Sequence, residues 1–167
     1  MNNVVLIGMP GAGKSTVGVL LAKSLLKDFV DTDLIIQHKE GSALCKIMEK
    51  TGVKGFIDLE NKIIASCSFE NSVVATGGSA VYGEEAMKNL KKNGVIVYLR
   101  VSCDELERRI HNIQTRGIAM EKGTTIKDLF EERRPLYEKY ADITVDCDKL
   151  TAEQCVSEIV SKVESKK

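Results

Sequence analysis

The stretch from Gly8 to Ser15, "GMPGAGKS", carries the most specific chemistry in the chain. Its spacing is G-x-x-x-x-G-K-[ST], that of a phosphate-binding loop. Glycines let backbone N–H groups turn inward around phosphate oxygens, and the N-terminus of the following helix adds partial positive charge. Gly11, Ala12, Gly13, Lys14, Ser15 and Thr16 are therefore candidate ATP contacts. Lys14 should reach the β- and γ-phosphates, and the Ser15 hydroxyl suits Mg²⁺. A strand pattern, "NVVLIG", enters the loop and a helical pattern, "KSTVGVLLAKSLL", leaves it, which is the context the motif requires. The loop alone does not name a reaction, because GTPases, ATPases and kinases share it. No N-K-x-D guanine signature is present, and 167 residues leave no room for a second large motor domain.

Other residues converge on the same chemistry. In "VDTD", Asp31 and Asp33 close a strand pattern. Strands of a parallel α/β sheet deliver their C-terminal ends to the ligand crevice, and alternation sends both acids the same way. One could hold Mg²⁺ through water and the other accept a proton from an acceptor hydroxyl; the plainer reading is a helix-capping aspartate. Gly77 and Gly78, in "ATGGSA", let a ligand approach the backbone closely. Two charges sit on apolar helical stripes. In "GFIDLENKII", steps of about 100° place Leu59, Ile63, Phe56, Ile64 and Ile57 on one arc, with Glu60 in its middle. A buried carboxylate there needs a partner. Arg133 lies i+7 from Ile126 and i+3 from Phe130, so it points inward toward an anion or carboxylate unless it snorkels to solvent. The aperiodic "QTRGIAMEKG" holds Arg116, with Gly117 and Gly123 as hinges. Phosphoryl transfer must exclude water, so this segment reads as a mobile lid over about residues 112–124, with Arg116 reaching the phosphates. Arg108 and Arg109 lead into it, one of them near the nucleotide.

The elements that must position these residues alternate along the chain. Apolar strand patterns at "NVVLIG", "DFVDTD", "NSVVATGG", "VIVYLRV" and "DITVDC" are separated by helical ones. The pattern predicts an α/β fold, a five-stranded parallel sheet with helices on both faces, doubly wound through right-handed crossovers. Helical patterns run from about Leu34 to Cys67, broken near Gly41 and Gly52, and Pro135 should kink or tighten the helix "IKDLFEERRPLYEKY". With 43% hydrophobic and 29% charged residues, the chain is ordinary for a soluble domain, read as one unit over 1–167. Lys plus Arg (24) balances Asp plus Glu (24), so no basic excess argues for nucleic acid or an anionic membrane. No stretch approaches the roughly 20 apolar residues of a membrane span. Five cysteines without C-x-x-C spacing read as free thiols in the cytoplasm.

Taken together, these residues resemble the shikimate kinase family, within the nucleoside-monophosphate-kinase-like P-loop proteins. The likeness covers nearly the whole chain. "GMPGAGKST" matches its phosphate loop and "DTD" its acidic pair. "GFIDLE" resembles its segment of Phe, Arg, two variable residues and Glu, "TGGSA" its triple-glycine turn, and "RRPLY" its arginine before Pro-Leu-Tyr. The resemblance implies ATP- and Mg²⁺-dependent phosphorylation of a hydroxyl on a small metabolite by a cytoplasmic, monomeric enzyme without nucleic-acid or membrane partners. It implies that Asp33 binds the acceptor and acts as, or orients, the base. Asp31 would hold Mg²⁺ through water beside Ser15, and Gly77 and Gly78 would contact the acceptor. Arg116 would stabilise the transferring group and Arg133 bind the acceptor carboxylate. Glu60 would support the acceptor site, formed by the helices at about 34–68. Adenine would lie between the Arg109 region and the loop after "DITVDCD". Two positions depart from the family: Ile57 stands where it has a second carboxylate-binding arginine, and Ser79 replaces the third glycine of the turn. A kinase of the same fold for another hydroxylated acceptor, a nucleoside-monophosphate kinase and a non-catalytic nucleotide-binding module are the alternatives.

Overall fold

A computed structural model describes residues 2–110 and 117–166. Five parallel strands, β1 (Asn3–Ile7), β2 (Asp28–Asp31), β3 (Ser72–Ala75), β4 (Gly94–Arg100) and β5 (Ile143–Asp146), form one sheet in the order β2-β3-β1-β4-β5. Apolar β1 pairs with β3 from Val4↔Val73 and with β4 from Asn3↔Gly94. All residues of β1 and β3 are buried, whichever way their side chains alternate. Both faces of the sheet are therefore covered, as its continuous apolar strands require. After β1 the chain crosses to one side of it, and after β3 to the other, which opens a crevice at the strands' C-terminal ends.

The helices are α1 (Lys14–Leu25), α2 (Thr32–Glu40), α3 (Leu44–Ala65), α4 (Glu84–Lys92), α5 (Cys103–Arg109), α6 (Ile126–Tyr140) and α7 (Ala152–Glu164). A short 3₁₀ turn, Ala80–Tyr82, follows the glycines after β3. Their ends are set by local chemistry. α6 and α7 each open on a capping box, Thr125 with Asp128 and Thr151 with Gln154. The break near Gly41 is the left-handed end of α2, and the break near Gly52 lies inside α3, where φ is 73°. Pro135 does not interrupt α6, which runs through it to Tyr140.

The sequence reading errs at the second strand. β2 stops at Asp31 and α2 starts at Thr32, so Asp33 belongs to a first helical turn rather than to a strand. The reason is capping: the Asp31 side chain accepts a hydrogen bond from the Asp33 amide at 2.9 Å and starts the helix two residues early. The pattern "CDELERRIHNI" is helical only to Arg109 among the described residues, with Ile110 as an extended C-cap.

The main core gathers the sheet with α1, α4, α6 and α7. A second, smaller apolar cluster lies under α2 and α3 and contains Ile36, Leu44, Ile47, Phe56, Ile63 and Ala119. Burying a side chain such as Phe56 contributes about 1.5–3 kcal/mol. This cluster fixes the face of α3 that carries Glu60 and ties it to the segment containing Ala119.

Candidate active site

The phosphate loop joins β1 to α1. Gly11 and Gly13 take left-handed φ values of 84° and 90°, and Gly13 is the cap from which α1 starts. The loop borders a cavity of about 600 Å³ at the strands' C-terminal ends. Pro10 to Val17 line one wall; Asp33, Phe56, Gly77, Gly78, Ser79 and Arg133 line another; Arg109, Cys147, Leu150 and Cys155 line a third.

Lys14 is buried at the loop, where its Nζ donates to the carbonyls of Gly8 (2.7 Å) and Met9 (2.8 Å). Burial lowers its pKa to about 8, an effect that nearby Asp33 opposes. Next to it, Ser15 Oγ donates to Asp31 Oδ2 at 3.1 Å. Asp31 thus joins the phosphate loop to the first turn of α2 through its two oxygens. Asp33 follows on that turn and faces the cavity. Burial, and then the charge of Asp31, push its carboxyl up to about 6, while Lys14 pulls the other way.

Glu60 is 1% exposed. Ser79 Oγ donates to its Oε1 at 2.6 Å, and its Oε2 has no hydrogen-bond partner among the described residues. Burial is the main reason its carboxyl is raised to about 7; the Ser79 hydrogen bond acts in the opposite direction. The glycines of the turn explain themselves by what surrounds them. A Cβ on Gly77 would lie 2.7 Å from Asp33 Oδ1 and 2.9 Å from Glu60 Oε2, and one on Gly78 would lie 2.8 Å from Arg133 Nη1. A side chain at either position would have to push these charged groups aside.

Arg133 is also 1% exposed, so it points inward and does not snorkel. Its Nη2 donates to the Ala119 carbonyl at 2.7 Å and its Nε to the Tyr82 hydroxyl at 3.3 Å. Tyr137, one turn on, donates to the Gly78 carbonyl at 2.6 Å and stacks on Tyr98, which fixes the glycine turn against α6. At the far wall, Arg109 is held by Glu105 at 2.8 Å and reaches the Gly11 carbonyl at 3.4 Å.

The structure brings Gly11, Ala12, Gly13, Lys14, Ser15, Thr16, Asp33, Gly77, Gly78, Arg109 and Arg133 to one cavity. Glu60 and Asp31 stand directly behind it, each bonded to a residue that lines it. Ile57 does not line it: it is half-buried, about 100° round the helix from Phe56, which does. Arg116 lies outside the described residues, although Gly117, Ile118 and Ala119 line the cavity. The sequence reading missed Phe56, Tyr82 and Ser79 as site residues. A carboxylate stranded on an apolar stripe signals a missing donor, but nothing local says that the donor is Ser79.

Comparisons with known proteins agree with this geometry. A family model described as shikimate kinase matches residues 10–164. A shikimate kinase of Sulfurihydrogenibium sp. (strain YO3AOP1) is 42% identical over 164 residues, 98% of each chain. One from Thermodesulfovibrio yellowstonii is 40% identical over 167 residues, 98% of this chain and 96% of the relative. Among solved structures, a shikimate kinase from Acinetobacter baumannii in complex with shikimate superimposes with a TM-score of 0.89 at 31% identity. The match covers 100% of this chain and 95% of that one.

Proposed function

Because the chain belongs to the shikimate kinase family, we propose that it transfers the γ-phosphoryl group of ATP to a hydroxyl of shikimate, giving shikimate 3-phosphate. The observation that carries this reading is the convergence of Lys14, Asp33 and Arg133 on one cavity whose floor is bared by Gly77 and Gly78. Asp33, raised only to about 6, is mostly ionised at neutral pH. It takes the hydroxyl proton while the hydroxyl oxygen forms the new O–P bond and ADP departs. Lys14 neutralises charge on the phosphates. Arg116, which lies outside the described residues, is assigned the role of stabilising the transferring group. Arg133 binds the acceptor carboxylate, and Glu60 holds the acceptor wall from behind. Adenine lies between Arg109 and Leu150, both on the cavity wall.

The oxygens of Ser15 and Asp31, 3.1 Å apart, form a hard donor set that suits Mg²⁺. Ser15 would bind the ion directly and Asp31 through water, and an ion held there would neutralise charge on the β- and γ-phosphates. Among the described residues no helix is long and apolar enough to cross a membrane, and all five cysteines are free thiols. The compartment proposed is the cytoplasm.

Ile57 favours a second reading. It is apolar, and Lys54 is exposed and does not line the cavity, so among the described residues Arg133 is the one cation on the cavity wall formed with Asp33, Phe56 and the glycine turn. A kinase of this fold for a hydroxylated acceptor without a carboxylate is the alternative. The test of the mechanism is Asp33→Asn. Turnover should fall by about 10²–10⁴-fold while calorimetry still finds ATP binding; undiminished turnover would remove Asp33 from the reaction.

A further inference from the structure

The Arg133 guanidinium is held on three sides. Its Nε donates to the Tyr82 hydroxyl at 3.3 Å, Nη2 donates to the Ala119 carbonyl at 2.7 Å, and the Tyr82 ring centroid lies 5.3 Å from its central carbon. The Tyr82 hydroxyl donates in turn to Glu132 Oε1 at 2.6 Å. Guanidinium, phenol and carboxylate form a chain in which each proton points from the cation toward the anion. Such chains polarise one another, so Glu132 makes the phenol oxygen a better acceptor for Arg133. Burial first, then the bond to Glu132, raise the phenol's pKa, so it keeps the proton it donates.

This arrangement has a directional consequence. The edge of the guanidinium formed by Nε and Nη2 is engaged by Tyr82 and Ala119. The remaining edge carries Nη1, which packs against the glycine turn 2.8 Å from the position a Gly78 Cβ would take, and Arg133 lines the cavity there. That edge can meet a carboxylate with two parallel bonds. An arginine loses much rotamer freedom when fixed. Here the loss falls on folding rather than on ligand binding, which strengthens binding by a single cation. Resting on the function proposed above, we propose that Tyr82, oriented by Glu132, is a positioning residue. It presets Arg133 so that one arginine suffices to grip the acceptor carboxylate although Ile57 brings no second charge.

The test measures KM for shikimate, for its uncharged methyl ester and for ATP in wild type, Tyr82→Phe and Tyr82→Leu. Tyr82→Leu should raise KM for shikimate about 10-fold and Tyr82→Phe, which keeps the ring, about threefold. In both variants kcat and KM for ATP should stay within about twofold, and KM for the ester should not move. A merely structural role would shift shikimate and ester together. Equal changes for the two acceptors overturn the inference, as does the absence of any change. Tyr82→Phe removes only one hydroxyl, so it decides the matter if Tyr82→Leu fails to fold. Normal turnover of shikimate with indifferent Tyr82 variants refutes this inference alone. Absence of shikimate turnover in wild type refutes the proposed function itself, and the inference with it.

Discussion

Replacing Glu60 by glutamine should flatten the protein's stability between pH 5 and pH 7.5. Glu60 is 1% exposed, with one oxygen bonded to Ser79 and the other without a partner among the described residues. Its carboxyl is raised from 4.5 to about 7, burial being the main cause. A carboxyl with a raised folded-state pKa favours folding in its protonated form. Its destabilising effect is absent below the unfolded value of 4.5, grows as pH rises, and is complete above about 7. At 1.36 kcal/mol per pKa unit, linkage gives about 1 kcal/mol of destabilisation at pH 5 and about 3 kcal/mol at pH 7.5. The Glu60 contribution over this window is thus roughly 2 kcal/mol. The window also avoids Lys14. Its pKa is lowered to about 8, so the penalty for burying its charge is constant below that pH and eases only above it. Asp33 remains in the variant, but its charge helps to raise the Glu60 carboxyl, so the difference between the two proteins includes the loss of that repulsion as well as of the burial penalty. Urea denaturation at the two pH values measures the effect. Wild type should lose roughly 2 kcal/mol more than Glu60→Gln between pH 5 and pH 7.5. Parallel losses would refute the view that Glu60 is a buried carboxyl ionised against burial.

Other expectations concern the reaction. With Asp33 as the base at about 6, kcat/KM should fall about tenfold per unit as pH drops below that value, and should level off above it until Lys14 loses its proton near pH 8; a flat profile through pH 6 would exclude Asp33. Gly77→Ala places a Cβ 2.7 Å from Asp33 Oδ1 and 2.9 Å from Glu60 Oε2, so steady-state kcat/KM should drop about 10²-fold through displacement of the base. Unchanged kinetics would mean that the reacting hydroxyl lies elsewhere. Ile57 lies off the cavity wall but next to Phe56, which is on it, so the longer side chain of Ile57→Arg can reach the acceptor and should lower KM for shikimate about 10-fold, a charged hydrogen bond being worth about 1.5–3 kcal/mol. No gain would mean that the wall near residue 57 is not open to the acceptor.

The parts of the site that the sequence discloses are those whose spacing is local. β1, the phosphate loop and α1 form one continuous motif, and Lys14 and Ser15 can be placed from it directly. Glu60 and Arg133 are legible for a different reason: each is a charge on an apolar stripe, and both prove to be buried. What satisfies them is not legible. Ser79 reaches Glu60 across 19 residues of sequence, and Tyr82 lies in a short 3₁₀ turn with no period to betray its direction. The acidic pair is legible as neighbours of the phosphate loop, but not the element that carries Asp33, because capping by Asp31 converts strand to helix sooner than alternation suggests. Ile57 illustrates the same limit from the other side. Its type marks a departure from the family, but only the structure places it off the cavity wall while its neighbour Phe56 is on it.

The most direct measurement is ADP release by wild-type enzyme with ATP and Mg²⁺ across a panel of acceptors: shikimate, its methyl ester, other small polyols and sugar acids, and nucleoside monophosphates. Saturable turnover with millimolar shikimate is expected, with phosphate appearing on one of its hydroxyls, and weaker turnover with the ester. Turnover with another alcohol and none with shikimate would contradict it, as would ATP binding without phosphorylation of any acceptor.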